Sequence, residues 1–262
     1  SYHHGQSYLT LPTAASVDGY SSFGASITYQ GSKQTFTCPA PVAIVADIDV
    51  IAHAPKHMTA AGYADLAAKV PAGAEWMIAD FVGSEPIQDD AWHVLQDYLD
   101  DFLSDPEGVS AGEPKAIADL FEGLTLSGFA MQAAKSSRPA SCCDHLFSHI
   151  LDMVGHRSEG RLQSHGFQVA IGTLTMCAVF DELFKLDLTG LDVDALVDAW
   201  PSLEQEQERA LEVFRGFPAP KLGYVQISQK YGEKAAVRAE LSRLKAEWPA
   251  LKERLQGQVY SF

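Results

Sequence analysis

Short runs of apolar and polar residues, separated by turn residues, fill the first quarter of the chain. They predict strands over residues 7–11, 26–29 and 34–38. A fourth run, residues 42–47, is continuously apolar between Pro41 and acidic residues, which favours a buried strand. The beginning of the chain is therefore predicted to be rich in strands, as in the α/β class.

From residue 58 onward the pattern changes to amphipathic stretches rich in Ala, Leu, Glu and Lys, which favour helices. Helices are expected over residues 59–69, 90–103, 114–134, 142–153, 166–184, 192–200, 203–214 and 232–248. We expect Asp90 and Asp192 to be N-caps and Pro71 to help end the first helix. Residues 105–108 and 215–218 are predicted breaks. The pattern predicts an α/β piece over residues 1–57 and a helical domain over residues 58–262.

Composition and charge exclude several classes of protein. The 262 residues carry a formal net charge of −15, and broad binding to nucleic acid needs a basic face instead. No run approaches the roughly 20 apolar residues of a membrane span. Four cysteines in a chain of this length do not suggest a disulfide framework, so we expect a reduced, cytoplasmic protein. The chain enters a strand-like run almost at once and has no initial Met, which indicates a segment of a longer protein.

Three histidines are candidates for metal chemistry. His145 and His149 are four residues apart, so a helix would place both imidazoles on one face. Both rings could bind one metal, one could bind while the other faces substrate, or the two could be an ordinary packed pair. His165 lies beside Gly166 at the expected entrance of an apolar helix, where the backbone is unhindered. A carboxylate would complete such a site.

Four ordered blocks carry a resemblance to a known family: residues 12–20, 54–69, 137–149 and 165–166. They resemble the sn-glycerol-1-phosphate dehydrogenase branch of the iron-containing alcohol dehydrogenase and dehydroquinate synthase superfamily. The resemblance implies a dehydroquinate synthase-like fold. Residues 1–57 would be the C-terminal part of an α/β dinucleotide-binding domain, and residues 58–262 an all-helical domain that binds metal and substrate.

The resemblance also implies roles for individual residues. It makes Asp65, His145 and His165 the ligands of one divalent metal, and it makes Asp18 and His149 the catalytic residues beside the substrate. Cofactor contacts would come from a group of small residues in the first block and just after it: Thr13, Ala14, Ala15, Ser16 and Ser22. Zinc suits the ligand set best, iron and nickel are alternatives, and the cofactor would be NAD or NADP.

The activity implied is the interconversion of dihydroxyacetone phosphate and sn-glycerol 1-phosphate, with Arg138 as a candidate fork for the phosphate. A glycerol dehydrogenase-like enzyme acting on an unphosphorylated polyol is one alternative. A non-catalytic metal-binding remnant is another. Broad apolar helical faces also allow a homodimer.

Two departures from the family pattern bear on these expectations. The family's Ser-Gly-x-Glu-His is replaced by Ser141-Cys142-Cys143-Asp144-His145, so either thiol becomes an alternative ligand. A Gly-rich turn that would seat a pyrophosphate at a helix N-terminus is not found after a strand. We therefore expect a chain that keeps the metal site but binds the dinucleotide weakly.

Overall fold

A computed structural model describes residues 4–29, 32–217 and 220–261 of the chain. Its strands form three two-stranded pairs. The pairs are β1 (Leu9–Thr10) parallel to β4 (Ala43–Ile44), β2 (Ala25–Tyr29) antiparallel to β3 (Ser32–Phe36), and β5 (Arg157–Ser158) antiparallel to β6 (Arg161–Leu162). Each predicted strand region overlaps one of the first four strands, with β3 beginning two residues before the predicted 34–38, and the small pair β5–β6 was not predicted.

The buried strand expected over residues 42–47 is the clearest error at this end of the chain. Only Ala43 and Ile44 form β4, and Val42 and Val45 on either side are 71% and 53% exposed. A strand buried on both faces needs layers that cover both faces. Within the described residues β4 pairs with β1 alone, so its apolar neighbours stay open to solvent.

Helices dominate the rest of the structure. They are α1 (Ile48–Ala52), α2 (Lys56–Ala67), α3 (Lys69–Phe81), α4 (Asp89–His93), α5 (Leu99–Leu103), α6 (Pro106–Ala111), α7 (Pro114–Ala134), α8 (Cys143–Met153), α9 (His165–Leu183), α10 (Val193–Asp198), α11 (Leu203–Val213), α12 (Pro220–Lys230) and α13 (Lys234–Val259). The prediction for α7 is correct at both ends, and those for α8, α9 and α11 are correct within one residue. Helices α1, α3, α6 and α12 were not predicted.

Three of the differences between the predicted and the observed helices involve proline. Pro71 lies in the first turn of α3, and Pro106 begins α6 behind the Asp105 cap, which accepts from Gly108 N at 2.8 Å. Proline is tolerated in a first helical turn because that N–H has no partner within the helix. The break expected at residues 105–108 is therefore a helix start. Helix α13 continues past residue 248 through Pro249.

The capping predictions had mixed outcomes. Asp192 caps α10 by accepting from Ala195 N at 3.1 Å, as expected. Asp90 does not cap its helix, because α4 begins one residue earlier and Asp90 lies in its first turn. The expected helix over residues 90–103 is divided into α4, a 3₁₀ turn (Gln96–Tyr98) and α5. The predicted break at residues 215–218 ends at Pro218, which lies outside the described residues.

Two apolar cores hold α2 and α9, two of the three helices that carry the site. One packs Leu66 of α2 against Leu120 and Leu124 of α7, together with Ala15 and Ile51. The other is built from α3, α9 and α13. The first core contains residues from both sides of position 58. The division into two domains at that position stays a prediction. Within the described residues, no helix has the length and apolar character that crossing a membrane requires.

Two glycines let the backbone approach α2 from both sides. A Cβ at Gly62 would lie 2.0 Å from Ala15 O, in the loop that leads to Asp18. A Cβ at Gly166, in the first turn of α9, would lie 2.0 Å from Ala61 O. Both obstacles are backbone atoms, so a side chain at either position would push apart elements that meet at the site.

We expect Gly62→Ala to destabilise the protein by about 1–3 kcal/mol, the usual cost of overpacking. Urea unfolding followed by circular dichroism would measure this change. Gly257→Ala in α13 is the matched control, because a Cβ there meets nothing within 4 Å. The control should stabilise the protein by several tenths of a kcal/mol. Equal unfolding midpoints for the two variants would contradict the close approach at Gly62.

Candidate metal centre

Asp65 of α2, His145 of α8 and His165 of α9 come together although they lie far apart in the sequence. Each offers one ligand atom, and the three atoms lie within 4.8 Å of one another. His145 Nε2 is 3.4 Å from Asp65 Oδ1, and the two imidazole rings have centroids 5.1 Å apart. Asp65 is fully buried and His145 is 5% exposed. The three predicted ligands thus form one cluster in the structure.

A buried lysine sets the charge of this cluster. Lys69 is one helical turn beyond Asp65 and fully buried, and its Nζ lies 3.0 Å from Asp65 Oδ1 and 2.9 Å from Asp18 Oδ2. Burial would raise the pKa of Asp65, but Lys69 and then His145 outweigh it and hold that pKa far below its usual range. The Asp65 carboxylate is therefore ionised at any working pH.

Asp18 is tied to the same cluster through its backbone and its side chain. Its N–H donates to Asp65 Oδ2 at 3.0 Å, and its Oδ2 accepts from Ser127 Oγ at 2.7 Å. Sequence reasoning did not assign roles to Lys69 or Ser127. The four-residue spacing of Asp65 and Lys69 was the one available signal, since such pairs share a helix face.

His145 is held between two carboxylates. Its Nε2 faces Asp65, and its Nδ1 lies 3.3 Å from Asp144 Oδ1 without the alignment of a hydrogen bond. Burial lowers the pKa of His145, but Asp144 and Asp65 together raise it to about 9. Asp144 also accepts from the N–H groups of Cys142 and His145, at the start of α8.

The raised pKa of His145 predicts that metal binding releases a proton. A ligand imidazole must be neutral, and without metal this ring is protonated at pH 7. We expect about one proton released per ion at pH 7, and an apparent Kd that falls about tenfold per pH unit until the pH approaches 9. Calorimetric titration with zinc in buffers of different ionisation enthalpy would count the protons. A Kd independent of pH between 7 and 8 would contradict this charge state.

A cavity of about 500 Å³ opens onto the cluster. Its walls include Asp18, Ser22, Lys33, His145, His149 and His165. Burial, followed by His145 and Lys33, lowers the pKa of His149 to about 4, so its ring is neutral at neutral pH. The structure therefore places both predicted catalytic residues, Asp18 and His149, on the wall of the space that opens onto the ligand cluster.

Only one of the five predicted cofactor residues lines the cavity. Ser22 lines the cavity, whereas Thr13 is exposed, Ser16 is half-buried, and Ala14 and Ala15 are buried beneath the loop. Those four do not line this cavity. Of the group, Ser22 alone shares a surface with the predicted ligands.

Arg138, the candidate fork for a phosphate, does not line this cavity. Its Nε lies 3.1 Å from Glu85 Oε2 and its Nη2 donates to Glu75 O at 3.1 Å. Sequence alone could not reveal these partners, because they lie more than 50 residues away. Lys33 of β3 is a cation that does line the cavity, and it was missed because its strand carried no motif.

The two neighbouring cysteines are poorly suited to bind the metal. Cys142 Sγ contacts Ala72 O at 3.5 Å, towards α3, and burial raises the pKa of this thiol. Burial and then Glu75 raise the pKa of Cys143 to about 12. Both thiols are free, and within the described residues neither sulfur belongs to the group of ligand atoms that Asp65, His145 and His165 form. The geometry therefore does not support a thiol as a ligand of this cluster.

The donor set fits a divalent transition metal. Two imidazole nitrogens and one carboxylate, with a cavity on the open side, are the usual ligands of catalytic zinc and also suit Fe(II). Asp65 brings the negative charge that compensates a buried cation.

Comparisons with known proteins show which proteins this chain is similar to. Residues 1–55 match the family model described as iron-containing alcohol dehydrogenase. The chain is 34% identical to a glycerol-1-phosphate dehydrogenase [NAD(P)+] of Bacillus licheniformis, over 72% of this chain and 47% of that protein. It is 36% identical to the same-named enzyme of Pyrococcus horikoshii, over 67% of this chain and 50% of that protein. The chain thus spans about half the length of these curated relatives.

Solved structures agree on the fold. Glycerol dehydrogenase from Schizosaccharomyces pombe superposes with a TM-score of 0.52 at 19% identity, over 100% of this chain and 67% of that one. The fold is therefore dehydroquinate synthase-like, as predicted. Over residues 1–55 the chain is similar to the iron-containing alcohol dehydrogenase family, and the two relatives named above are glycerol-1-phosphate dehydrogenases.

Proposed function

We propose that this chain supplies the metal and substrate site of an NAD(P)-dependent glycerol-1-phosphate dehydrogenase. The observation that carries the proposal is the cluster of Asp65, His145 and His165, whose two histidines line a cavity of about 500 Å³. The similarity to enzymes named for that activity, over about half of their length, supports the same assignment.

Asp65, His145 and His165 would hold one divalent metal, with zinc the first candidate from the donor set. Such a metal, when bound, supplies Lewis acidity towards a substrate carbonyl, and a reduced nicotinamide supplies the hydride. Lys69 keeps Asp65 ionised and fixes Asp18 beside it. The residues of this chain would thus fix the charged groups around the metal and orient the substrate carbonyl.

Asp18 and His149 would act on the substrate itself. Asp18, fixed by Lys69 and Ser127, presents a carboxylate to a substrate hydroxyl. His149 is neutral, so one ring nitrogen can donate a hydrogen bond while the other accepts, which suits a relay of protons between substrate and solvent. Ser22 would contact the cofactor at the same cavity, and Thr13, Ala14, Ala15 and Ser16 remain predicted contacts.

The substrate would be phosphorylated, and Lys33 would meet the phosphate. Lys33 Nζ pairs with Asp152 at 3.0 Å, and the residue lines the cavity near His149. A charge-assisted contact of this kind contributes about 1.5–3 kcal/mol. The competing function, oxidation of an unphosphorylated polyol such as glycerol, has no use for this cation.

Initial rates of NADH and NADPH oxidation, with dihydroxyacetone phosphate and with dihydroxyacetone, separate the two functions. We expect the phosphorylated substrate to be preferred, and Lys33→Met to raise its KM by about 10–100-fold. The same variant should leave the KM for dihydroxyacetone unchanged. Lys115→Met, at an exposed helical lysine, is the matched control. Equal preference for both ketones would favour the polyol enzyme. No oxidation of a dinucleotide that the metal-loaded protein is shown to bind would favour a non-catalytic remnant.

Three further expectations also remain proposals: a cytoplasmic location, a homodimer and the lack of nucleic-acid binding. The net charge of −15 supports the last of these. The four free cysteines agree with a reducing compartment.

A further inference from the structure

A chain of hydrogen bonds leads away from His165 across the interface of α8 and α9. Ser148 Oγ lies 2.9 Å from His165 Nδ1 and donates its hydrogen to Gln168 Oε1 at 2.8 Å. Gln168 Nε2 in turn donates to Asp152 Oδ1 at 3.1 Å. Ser148 is fully buried and Gln168 is 2% exposed, so water cannot readily replace either partner.

Asp152, at the end of this series of hydrogen bonds, determines which partner donates in each bond. Burial would raise the pKa of Asp152, but its bonds to Lys33 and Gln168 lower it, so the carboxylate is ionised and can only accept hydrogen bonds. The amide of Gln168 must therefore turn its NH₂ group to Asp152 and its oxygen to Ser148. The single hydrogen of Ser148 is used on that oxygen, so Ser148 Oγ must accept from His165 Nδ1.

We propose that Ser148, Gln168 and Asp152 are positioning residues that hold His165 in the tautomer protonated on Nδ1. In that tautomer Nε2 carries the lone pair with which an imidazole binds a metal. The inference rests on the proposed metal centre for its purpose, but the tautomer itself is a property of the metal-free protein. Sequence supports the arrangement, since Ser148 and Asp152 are one turn apart on α8, as are His165 and Gln168 on α9.

Nitrogen NMR of the metal-free protein, labelled with ¹⁵N-histidine at pH 7.5, reads the tautomer directly. We expect the spectrum of His165 to show a protonated Nδ1 and an unprotonated Nε2, with the assignment made by the loss of that signal in His165→Gln. A wild-type His165 protonated on Nε2 would overturn the proposal without any further variant.

Variants of Asp152 test whether this series of hydrogen bonds determines the tautomer of His165. Asp152→Asn keeps the shape but lets the new amide donate, so Gln168 can turn over and reverse the chain. We expect a mixed or reversed His165 tautomer and a zinc Kd raised about 10–100-fold, the range found for partners of ligand histidines. Asp152→Glu keeps an accepting carboxylate and should keep both wild-type values. Asp181→Asn is the control for charge, because it makes the same charge change on α9 and affects the partner of Tyr260 instead. It should also leave the His165 tautomer and the zinc Kd at their wild-type values.

Ser148→Ala removes the link next to the ring and leaves the pairing of Lys33 with Asp152 in place. It should also release the tautomer and weaken zinc binding, which separates the hydrogen-bonded chain from any effect of Lys33. Wild-type spectra and zinc Kd in both Asp152→Asn and Ser148→Ala would refute the proposal. Wild-type protein with the expected tautomer but no zinc binding would instead refute the metal centre, so the two failures are distinguishable.

Discussion

Replacing His145 or His165 by Ala is expected to reduce the metal content of the purified protein from about one ion per chain to a small fraction. If each of the three proposed ligands carries about a third of the ~10–16 kcal/mol of a zinc site, losing one should weaken binding by about 10²–10⁴-fold. Metal analysis after dialysis against a weak chelator would measure the loss.

His149→Ala is the matched control, because His149 is one turn from His145 on the same helix and lines the same cavity. It should keep the ion and lose most of the turnover, by about 10²–10⁴-fold for a residue that relays protons. Metal content that survives in both His145→Ala and His165→Ala would show that the ion is bound elsewhere.

Lys69→Met is expected to cause the largest loss of stability of any single change at the site. It removes the cation between Asp18 and Asp65, which lie 2.9 and 3.0 Å from Nζ in a fully buried position. Breaking a buried ion pair and leaving its partner uncompensated costs about 3–5 kcal/mol. Urea unfolding of the metal-free protein would measure this cost. Asp18→Asn combined with Lys69→Met should recover part of it, because one of the two stranded charges is then gone.

An exposed lysine gives the contrast. Lys115 and Asp119 also form a pair four residues apart on a helix, with Lys115 86% exposed. Lys115→Met should leave the free energy of unfolding nearly unchanged, since solvent screens surface pairs. A loss of similar size for both Lys→Met variants would mean that burial does not govern the Lys69 pair.

The ligand set was accessible from the sequence only through family resemblance. Spacing alone placed His145 and His149 on one face and left open which of them binds metal. Asp65 could not be paired with them by arithmetic, because 80 residues separate it from His145. The structure brings Asp65, His145 and His165 together and puts His149 on the cavity wall, which agrees with the resemblance rather than with a simple histidine pair.

Features that depend on long-range packing were beyond the reach of the sequence. The apolar residues around β4 indicated burial, but burial depends on neighbours that the local pattern does not specify. Lys69 looked like a helix-end lysine until the loop carrying Asp18 was packed over it. Pro71 and Pro106 indicated breaks because a local reading cannot distinguish the end of one helix from the start of the next.

Hydrogen-bond direction was also inaccessible to sequence reasoning. Ser148 and Gln168 are ordinary helical residues in the sequence, and their role follows only from the crossing of α8 and α9. Second partners of ligand histidines have no spacing rule, because they come from whichever element packs alongside.

The most direct test of the account is anomalous diffraction from crystals of the zinc-loaded protein, recorded on both sides of the zinc absorption edge. The account predicts one strong peak between Asp65, His145 and His165, with Nε2 of both imidazoles as ligand atoms and the cavity on the open side. A peak at the cysteines, or zinc bound through His149 in place of His165, would contradict it.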